Sequence, residues 1–256
     1  MKHCIWCNKY ESTTSFRNLA HTIPKTLGGL NFCVNVCDSC NLFFGSRDKN
    51  MPSIEMVLKE TFNIARVRFL ESQGQIGKNK PISKISSEYF NINLQKRKIS
   101  LKPAYKLQIG FQEKLAFQLK RGLYKIFLEE IERQTGDGHN SKYDFIREFS
   151  RYGFSDYPVF YFRRLYGIIP VALPWVINPQ LFFEEQYQSK YIIQEPQFFE
   201  FELLGHVFGI VTSKYWQLSS DNYLKNTIKA KNQFFHKPQL ITKLTDIDLM
   251  LTILDN

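Results

Sequence analysis

The sequence predicts an α+β protein in which a small zinc-organised unit precedes a larger mixed α+β domain. Two Cys-x-x-Cys pairs near the N-terminus mark the first unit. Further on, stretches of helical periodicity are followed by short aromatic and β-branched segments, the order expected of helices and then strands. The predicted domains are 1–50 for the zinc unit, 51–83 for a helix and linker, and 84–256 for an α+β domain of open role (DNA binding, sensing or partner docking).

Composition and charge limit the class of protein. A chain of 256 residues with 43% hydrophobic and 15% aromatic residues can bury a core, so we expect a globular fold. We find no apolar run of the roughly eighteen residues that a membrane span needs and no signal-peptide core at the start, and therefore expect a cytoplasmic protein. The net charge of +10 favours a polyanionic partner, nucleic acid before an anionic membrane surface.

The paired cysteines have the spacing of a tetrahedral zinc site. Each pair presents two thiolates from a tight turn, and in a reducing compartment such cysteines bind metal more often than they form disulfides. The fifth cysteine, Cys33, lies in a mixed apolar and polar stretch and is expected to be a buried small residue. The sequence therefore predicts one structural Zn²⁺ held by Cys4, Cys7, Cys37 and Cys40.

Short elements are predicted around these cysteines, and a longer helix follows them. A strand is expected over 32–36 and a helix from Cys40 to about Gly45. Residues 52–71 predict a helix, because their apolar residues recur on one face at helical spacing. We expect this helix to lead the chain away from the zinc unit into a glycine-containing loop over 72–83.

The next region, residues 85–106, is predicted to form strands and carries the strongest local charge. Apolar and polar residues alternate over 90–95, the pattern of a half-buried strand. Between residues 78 and 106, eight lysines and arginines are opposed by Glu88 alone. Two interpretations stay open, a solvated hairpin tip or a ribbon that contacts phosphates. The candidate nucleic-acid contacts in this stretch are Lys96, Arg97 and Lys98.

The remainder predicts helices followed by strands. Residues 111–134 carry apolar side chains at every fourth position, and Gly122 marks a point at which this helix can break. Aromatic and β-branched segments then predict strands. The further predicted helices are 142–152 and 245–254, residues 220–232 are expected to form a short helix or a loop, and the predicted strands are 159–162, 191–193, 198–201 and 206–211.

His21 lies between the two cysteine pairs, in the segment Ala-His-Thr-Ile-Pro-Lys-Thr-Leu-Gly-Gly of residues 20–29. A lone histidine is more often an ordinary surface or core residue. Because four thiolates already complete a structural zinc site, this imidazole is also free to act as a general base.

The order Cys-x2-Cys, His-x-Ile-Pro-Lys-x-Leu-Gly-Gly, Asn-x-Cys-x2-Cys-Asn and Phe-Gly over residues 4–48 resembles the HNH (ββα-metal) endonuclease superfamily. It is most similar to the zinc-ribbon branch that carries the glycine-ended signature. The resemblance implies a small zinc-bound ββα-metal module in a metal-dependent endonuclease that hydrolyses DNA, with RNA as a further possible substrate. The alternative is a non-catalytic zinc-ribbon module that binds nucleic acid or protein.

The resemblance also implies roles for individual residues. His21 matches the general base that takes a proton from the attacking water. Asn35 matches the asparagine that orients this imidazole, with Asn31 as the alternative. Asn41 matches a ligand of a catalytic Mg²⁺ or Mn²⁺ ion, a hard cation that accepts a neutral oxygen ligand. Such an ion neutralises the charge that develops on the phosphate.

Three basic residues near this site are candidates for contacts with flanking phosphates, and ordinary surface charge is the alternative. They are Lys25, Arg47 and Lys49. Proteins of this layout often act in restriction or anti-phage defence. The resemblance therefore implies DNA as a partner and a defence-system protein as a further candidate, with the oligomeric state open.

Ala20 departs from the family pattern, which usually places an aspartate or glutamate directly before the histidine as a second metal ligand. Three explanations are open. Another carboxylate substitutes for it, the position was altered to trap an inactive form, or Asn41 and water hold the ion more weakly. We favour a natural variant with a substitute ligand, for which the candidates are Asp38, Glu11 and Asp48.

Overall fold

The N-terminal unit has a ββα arrangement in the computed structural model, which describes residues 1–47, 51–72, 74, 85–94, 96–165 and 177–251. Strands β1 (Ala20–His21) and β2 (Phe32–Cys33) pair antiparallel, and helix α1 (Asp38–Gly45) follows them. The strand predicted over 32–36 is shorter than expected, because the Asn35 carbonyl accepts a hydrogen bond from the Ile5 N–H instead of extending the hairpin.

Two long helices, α2 (Ile54–Ser72) and α4 (Phe111–Thr135), pack against each other in the centre of the molecule. Helix α4 is unbroken at Gly122. A Cβ at that position would lie 2.8 Å from Leu58 Cγ, so glycine there allows the two helices to approach closely. Helix α2 also contacts α1 and the 3-10 turn Lys25–Leu27. The expectation that α2 leads away from the zinc unit is therefore wrong.

A hairpin and a five-stranded sheet complete the fold. The hairpin consists of β3 (Phe90–Asn93) and β4 (Lys98–Leu101). The strands of the sheet are β5 (Val159–Phe162), β6 (Gln194–Glu195), β7 (Phe198–Leu203), β8 (His206–Val211) and β9 (Gln239–Leu240). The sheet is antiparallel, with the order β6-β7-β8-β5-β9. The remaining helices are α3 (Pro103–Lys106), α5 (Asp144–Arg147), which continues into the π turn Glu148–Tyr152, and α6 (Ser220–Lys231).

Further predicted elements differ from the structure. Pro103–Lys106, expected within the strands over 85–106, is the helix α3. Residues 191–193 are not a strand, and the short edge strand is Gln194–Glu195 instead. The predicted closing helix is reduced to a 3-10 turn at Leu244–Asp246, with 247–251 non-helical and 252–254 outside the described residues. The predicted fold class is confirmed, since a small cysteine-rich module precedes a larger α+β body.

Among the described residues, the larger of two clusters of buried apolar side chains runs from Cys4 in the N-terminal unit to Leu251. It includes Trp6 from the first cysteine turn, Leu123 from α4 and Phe208 from the sheet. The predicted domain boundaries stay predictions, because they border 48–50 and 75–84, which lie outside the described residues. In the part of the chain that the structure describes, no helix combines the length and apolar character needed to cross a membrane.

Candidate active site

The four predicted zinc ligands come together at the start of the chain. Their Sγ atoms all lie within 4.8 Å of one another. The Sγ atoms of Cys7 and Cys37 are 3.7 Å apart. A tetrahedral ion with Zn–S bonds of about 2.3 Å separates its sulfur ligands by about 3.8 Å. The cluster therefore has the ligand type and size that a structural Zn²⁺ requires.

Four thiols this close compete for protons. The hydrogen bond from Cys40 lowers the pKa of Cys4 to about 4, whereas the same hydrogen bond and burial raise the pKa of Cys40. Burial raises the pKa of Cys7 to about 11. A divalent cation removes this conflict, because it stabilises the thiolate form of all four ligands.

A cavity of about 400 Å³ lies between the β1–β2 hairpin, α1 and the beginning of α2. It is lined by both His21, the predicted general base, and Asn41, the predicted metal ligand. Lys25 lines it from the 3-10 turn. Helix α2 contributes Glu55 and Lys59, which no motif in the sequence connects to His21. The cavity thus brings together a base, two side chains whose oxygen atoms can coordinate a cation, and two cationic groups.

Three polar side chains of this cavity have no partner among the described residues, and the backbones of two of them are fixed by hydrogen bonds. The His21 carbonyl accepts a hydrogen bond from Lys125 Nζ at 3.0 Å, and Asn41 N–H donates to the Cys37 carbonyl at 2.9 Å. Among the described residues, the His21 imidazole, the Asn41 amide and the Glu55 carboxylate make no hydrogen bond or ion pair. All three are half-buried and available to a ligand.

Residues 4–50 match the model of the HNH endonuclease family. The matched range contains the cysteine cluster, the hairpin and α1, and the match supports a nuclease-type function for this HNH module. Comparisons with curated proteins and with solved structures gave no match.

A buried ion pair on α4 contacts residues 4–50, the HNH module, at the β1–β2 hairpin and at the first cysteine turn. Lys125 Nζ lies 2.8 Å from Glu129 Oε2, and neither side chain is exposed. Glu129 Oε1 also accepts a hydrogen bond from Trp6 Nε1 at 3.0 Å. Burial raises the pKa of Glu129 to about 7, and the Lys125 charge opposes this shift. Through Lys125 the same pair holds the backbone of His21.

Two further carboxylates of α4 bind the HNH module. The Thr22 hydroxyl donates to Glu130 Oε1. Asn35 Nδ2 donates to Glu132 Oε1 at 2.6 Å. The sequence pattern does not reveal these contacts, since a polar stripe on an amphipathic helix ordinarily indicates the solvent-facing side.

The other predicted site residues that the structure describes do not line the His21 cavity with their side chains. Asn35 is not among the described residues that line it, and the Asn31 carbonyl accepts from the Thr22 N–H in the hairpin. Arg47 forms an exposed ion pair with Glu88 at 3.4 Å. Lys49 lies outside the described residues. The exposed tip residues of the β3–β4 hairpin, which also do not line the cavity, are Lys96, Arg97 and Lys98.

The two described candidates for the carboxylate missing at Ala20 lie away from the His21 cavity. Asp38 accepts hydrogen bonds from the backbone N–H groups of Asn18 and Arg17, at 2.8 and 3.2 Å. Glu11 lines a separate groove on the surface. Asp48 lies outside the described residues. Of the two described candidates, neither lines the cavity that contains His21.

Proposed function

We propose that the HNH module is the catalytic unit of a metal-dependent endonuclease that hydrolyses phosphodiester bonds of DNA. The observation that carries the proposal is the shared cavity, in which the side chains of His21 and Asn41 have no partner among the described residues. The match of this module to the HNH endonuclease family supports the same function.

In the proposed reaction, the neutral imidazole of His21 takes a proton from a water molecule as its oxygen attacks the phosphorus. Imidazole suits this step because its ordinary pKa lies near neutrality. Lys25 and Lys59 supply positive charge that holds the phosphate in the cavity. The Asn41 amide oxygen would hold a Mg²⁺ or Mn²⁺ ion, which when bound stabilises negative charge on the phosphate and the leaving 3′ oxygen.

The charge of the whole protein supports a nucleic-acid substrate. A net charge of +10 attracts a polyanion before any specific contact forms. Lys96, Arg97 and Lys98 are exposed, and we propose them as additional phosphate contacts. A place in restriction or anti-phage defence, with a defence-system protein as partner, is a proposal that rests on the resemblance.

The test is cleavage of supercoiled plasmid by the zinc-loaded protein with Mg²⁺ or Mn²⁺. His21→Ala should slow cleavage by about a hundredfold or more, since general-base catalysis contributes at least that factor. His236→Ala is the control, because His236 is exposed and does not line the cavity. Equal cleavage by wild type and His21→Ala would contradict the proposal.

A parallel assay with single-stranded RNA tests the substrate class. Faster cleavage of RNA than of DNA would change the substrate while retaining the site. A wild-type protein that binds both nucleic acids but cuts neither would instead support the non-catalytic binding module.

A further inference from the structure

Position 20 cannot serve the His21 cavity in this structure. Ala20 pairs with Cys33 across the hairpin, and both residues are buried. Neighbouring residues of a strand direct their side chains to opposite faces, so position 20 faces the core while His21 lines the cavity. A carboxylate that completes a cation site beside His21 must therefore come from another element.

We propose that Glu55, on α2 and outside the range that matches the family, is this carboxylate and binds the catalytic divalent cation together with Asn41. The inference rests on the proposed function, because it names a second ligand for the cation that the nuclease reaction needs. It assigns to α2 a direct part in the active site.

The position of Glu55 relative to α1 carries the proposal. A Cβ built on Gly45 would lie 3.4 Å from Glu55 Oε2, so this carboxylate rests against the end of α1. Gly45 and Asn41 are four residues apart on α1 and therefore share one face, with Cβ positions about 6 Å apart. The Glu55 carboxylate thus lies about one helical turn from the Asn41 side chain, along the wall of one cavity.

The chemistry of this pair suits the cation. Mg²⁺ and Mn²⁺ prefer oxygen ligands, and Mg²⁺ commonly takes one or two carboxylates while retaining several waters. Glu55 supplies one carboxylate and Asn41 one neutral oxygen. Among the described residues, Glu55 has no ion-pair partner that would have to be displaced.

A structural role for Glu55 is the competing explanation. It lies in the first turn of α2, where an acidic side chain interacts favourably with the helix dipole. The matched control is Glu113, which occupies the first turn of α4 and does not line the His21 cavity. The isosteric changes Glu55→Gln and Glu113→Gln each remove one negative charge from the first turn of a long helix, and Glu113 differs in that it pairs with Lys243 at 3.6 Å.

The experiment measures Mn²⁺ binding to the zinc-loaded full chain, by calorimetry and by the electron paramagnetic resonance signal of free Mn²⁺. Wild type should bind one Mn²⁺ ion. Glu55→Gln should weaken this binding by at least about tenfold, whereas Glu113→Gln should leave it unchanged. Zinc content and the thermal midpoint, measured on each variant, identify any loss of folding. Bound Mn²⁺ should also broaden the His21 ring proton resonances in wild type.

The outcomes separate this inference from the proposed function. If wild type cuts plasmid in a His21-dependent manner and Glu55→Gln binds Mn²⁺ as tightly as wild type, Glu55 is not a ligand and the nuclease proposal stands. Equal weakening in Glu55→Gln and Glu113→Gln also overturns the inference, because the effect is then one of general charge. A wild type that neither binds Mn²⁺ nor cuts nucleic acid overturns both.

Discussion

Lys125 connects the buried charges of α4 to the backbone of the proposed catalytic histidine. Its Nζ atom donates to the His21 carbonyl and pairs with Glu129. Removing one member of a buried ion pair is costly, because the other charge then lies in a medium of low polarity without compensation. The pair therefore makes the geometry of the HNH hairpin dependent on α4.

Lys125→Met should destabilise the protein in a pH-dependent manner. Burial raises the folded-state pKa of Glu129 to about 7, and loss of the cation raises it further. A carboxyl with a raised folded pKa contributes stability below its unfolded value near 4.3, and this stability is lost as pH rises through the folded value. Urea unfolding should show a loss of about 3–5 kcal/mol at pH 8 and a smaller loss at pH 5.5.

The double variant Lys125→Met/Glu129→Gln is the control for this titration. With no carboxylate left at position 129 to ionise, its stability relative to wild type should depend less on pH than that of Lys125→Met. Equal destabilisation by Lys125→Met at pH 5.5 and pH 8 would show that Glu129 is not the group responsible.

At the residue scale, the sequence predicts a site when its residues form a motif of fixed short spacing. The cysteine cluster follows from its two pairs. His21 and Asn41 followed from the resemblance, and the structure places both on one cavity. Glu55 was not predicted, since an acid in the first turn of a helix is a common stabilising feature and nothing in its spacing connects it to His21. The partner of Asn35, Glu132, is 97 residues away in the chain and equally invisible to local patterns.

The two long helices illustrate what periodicity can predict at the scale of elements. Helices α2 and α4 begin and end within two residues of the predicted positions, because both carry a continuous apolar face. The strand expected at 191–193 shows the limit of local propensity. The Tyr191 hydroxyl hydrogen-bonds with Glu202 and with Arg164, so its side chain serves tertiary contacts while the backbone pairing begins at Gln194.

Gly122→Ala should destabilise the protein although alanine favours helix formation. The new Cβ would lie 2.8–3.0 Å from the Leu58 side chain, which is fully buried and must move. Overpacking of this kind costs about 1–3 kcal/mol, whereas replacing a helical glycine by alanine gains about 1 kcal/mol in helix propensity. We expect a cost toward the upper end of that range, and therefore a net loss of stability. The measurement is the urea midpoint of unfolding, and Glu113→Ala at an exposed position of the same helix is the control. A more stable Gly122→Ala protein would mean that α2 and α4 are less closely packed than described.

At the scale of the whole molecule, the HNH module shares its core and its polar contacts with the α+β body. The buried cluster is continuous from Cys4 to Leu251. Arg147, on α5, donates from Nε to the Ile5 carbonyl at 2.7 Å, inside the first cysteine turn. The sequence predicted both parts of the protein but not their contact, because helical and strand periodicities report only which face of an element is buried.

Zinc removal should therefore destabilise the entire chain and not the module alone. Treatment with a strong chelator should lower the free energy of unfolding by on the order of 4 kcal/mol. Because the thermal midpoint of a chain of this size shifts by roughly 2–4 °C per kcal/mol, it should fall by about 10 °C or more. Far-ultraviolet circular dichroism and tryptophan fluorescence should report one coincident transition, and Zn²⁺ but not Mg²⁺ should restore the midpoint. Two separate transitions, with the second unaffected by chelation, would instead show that the module folds independently and would favour a domain boundary near residue 50.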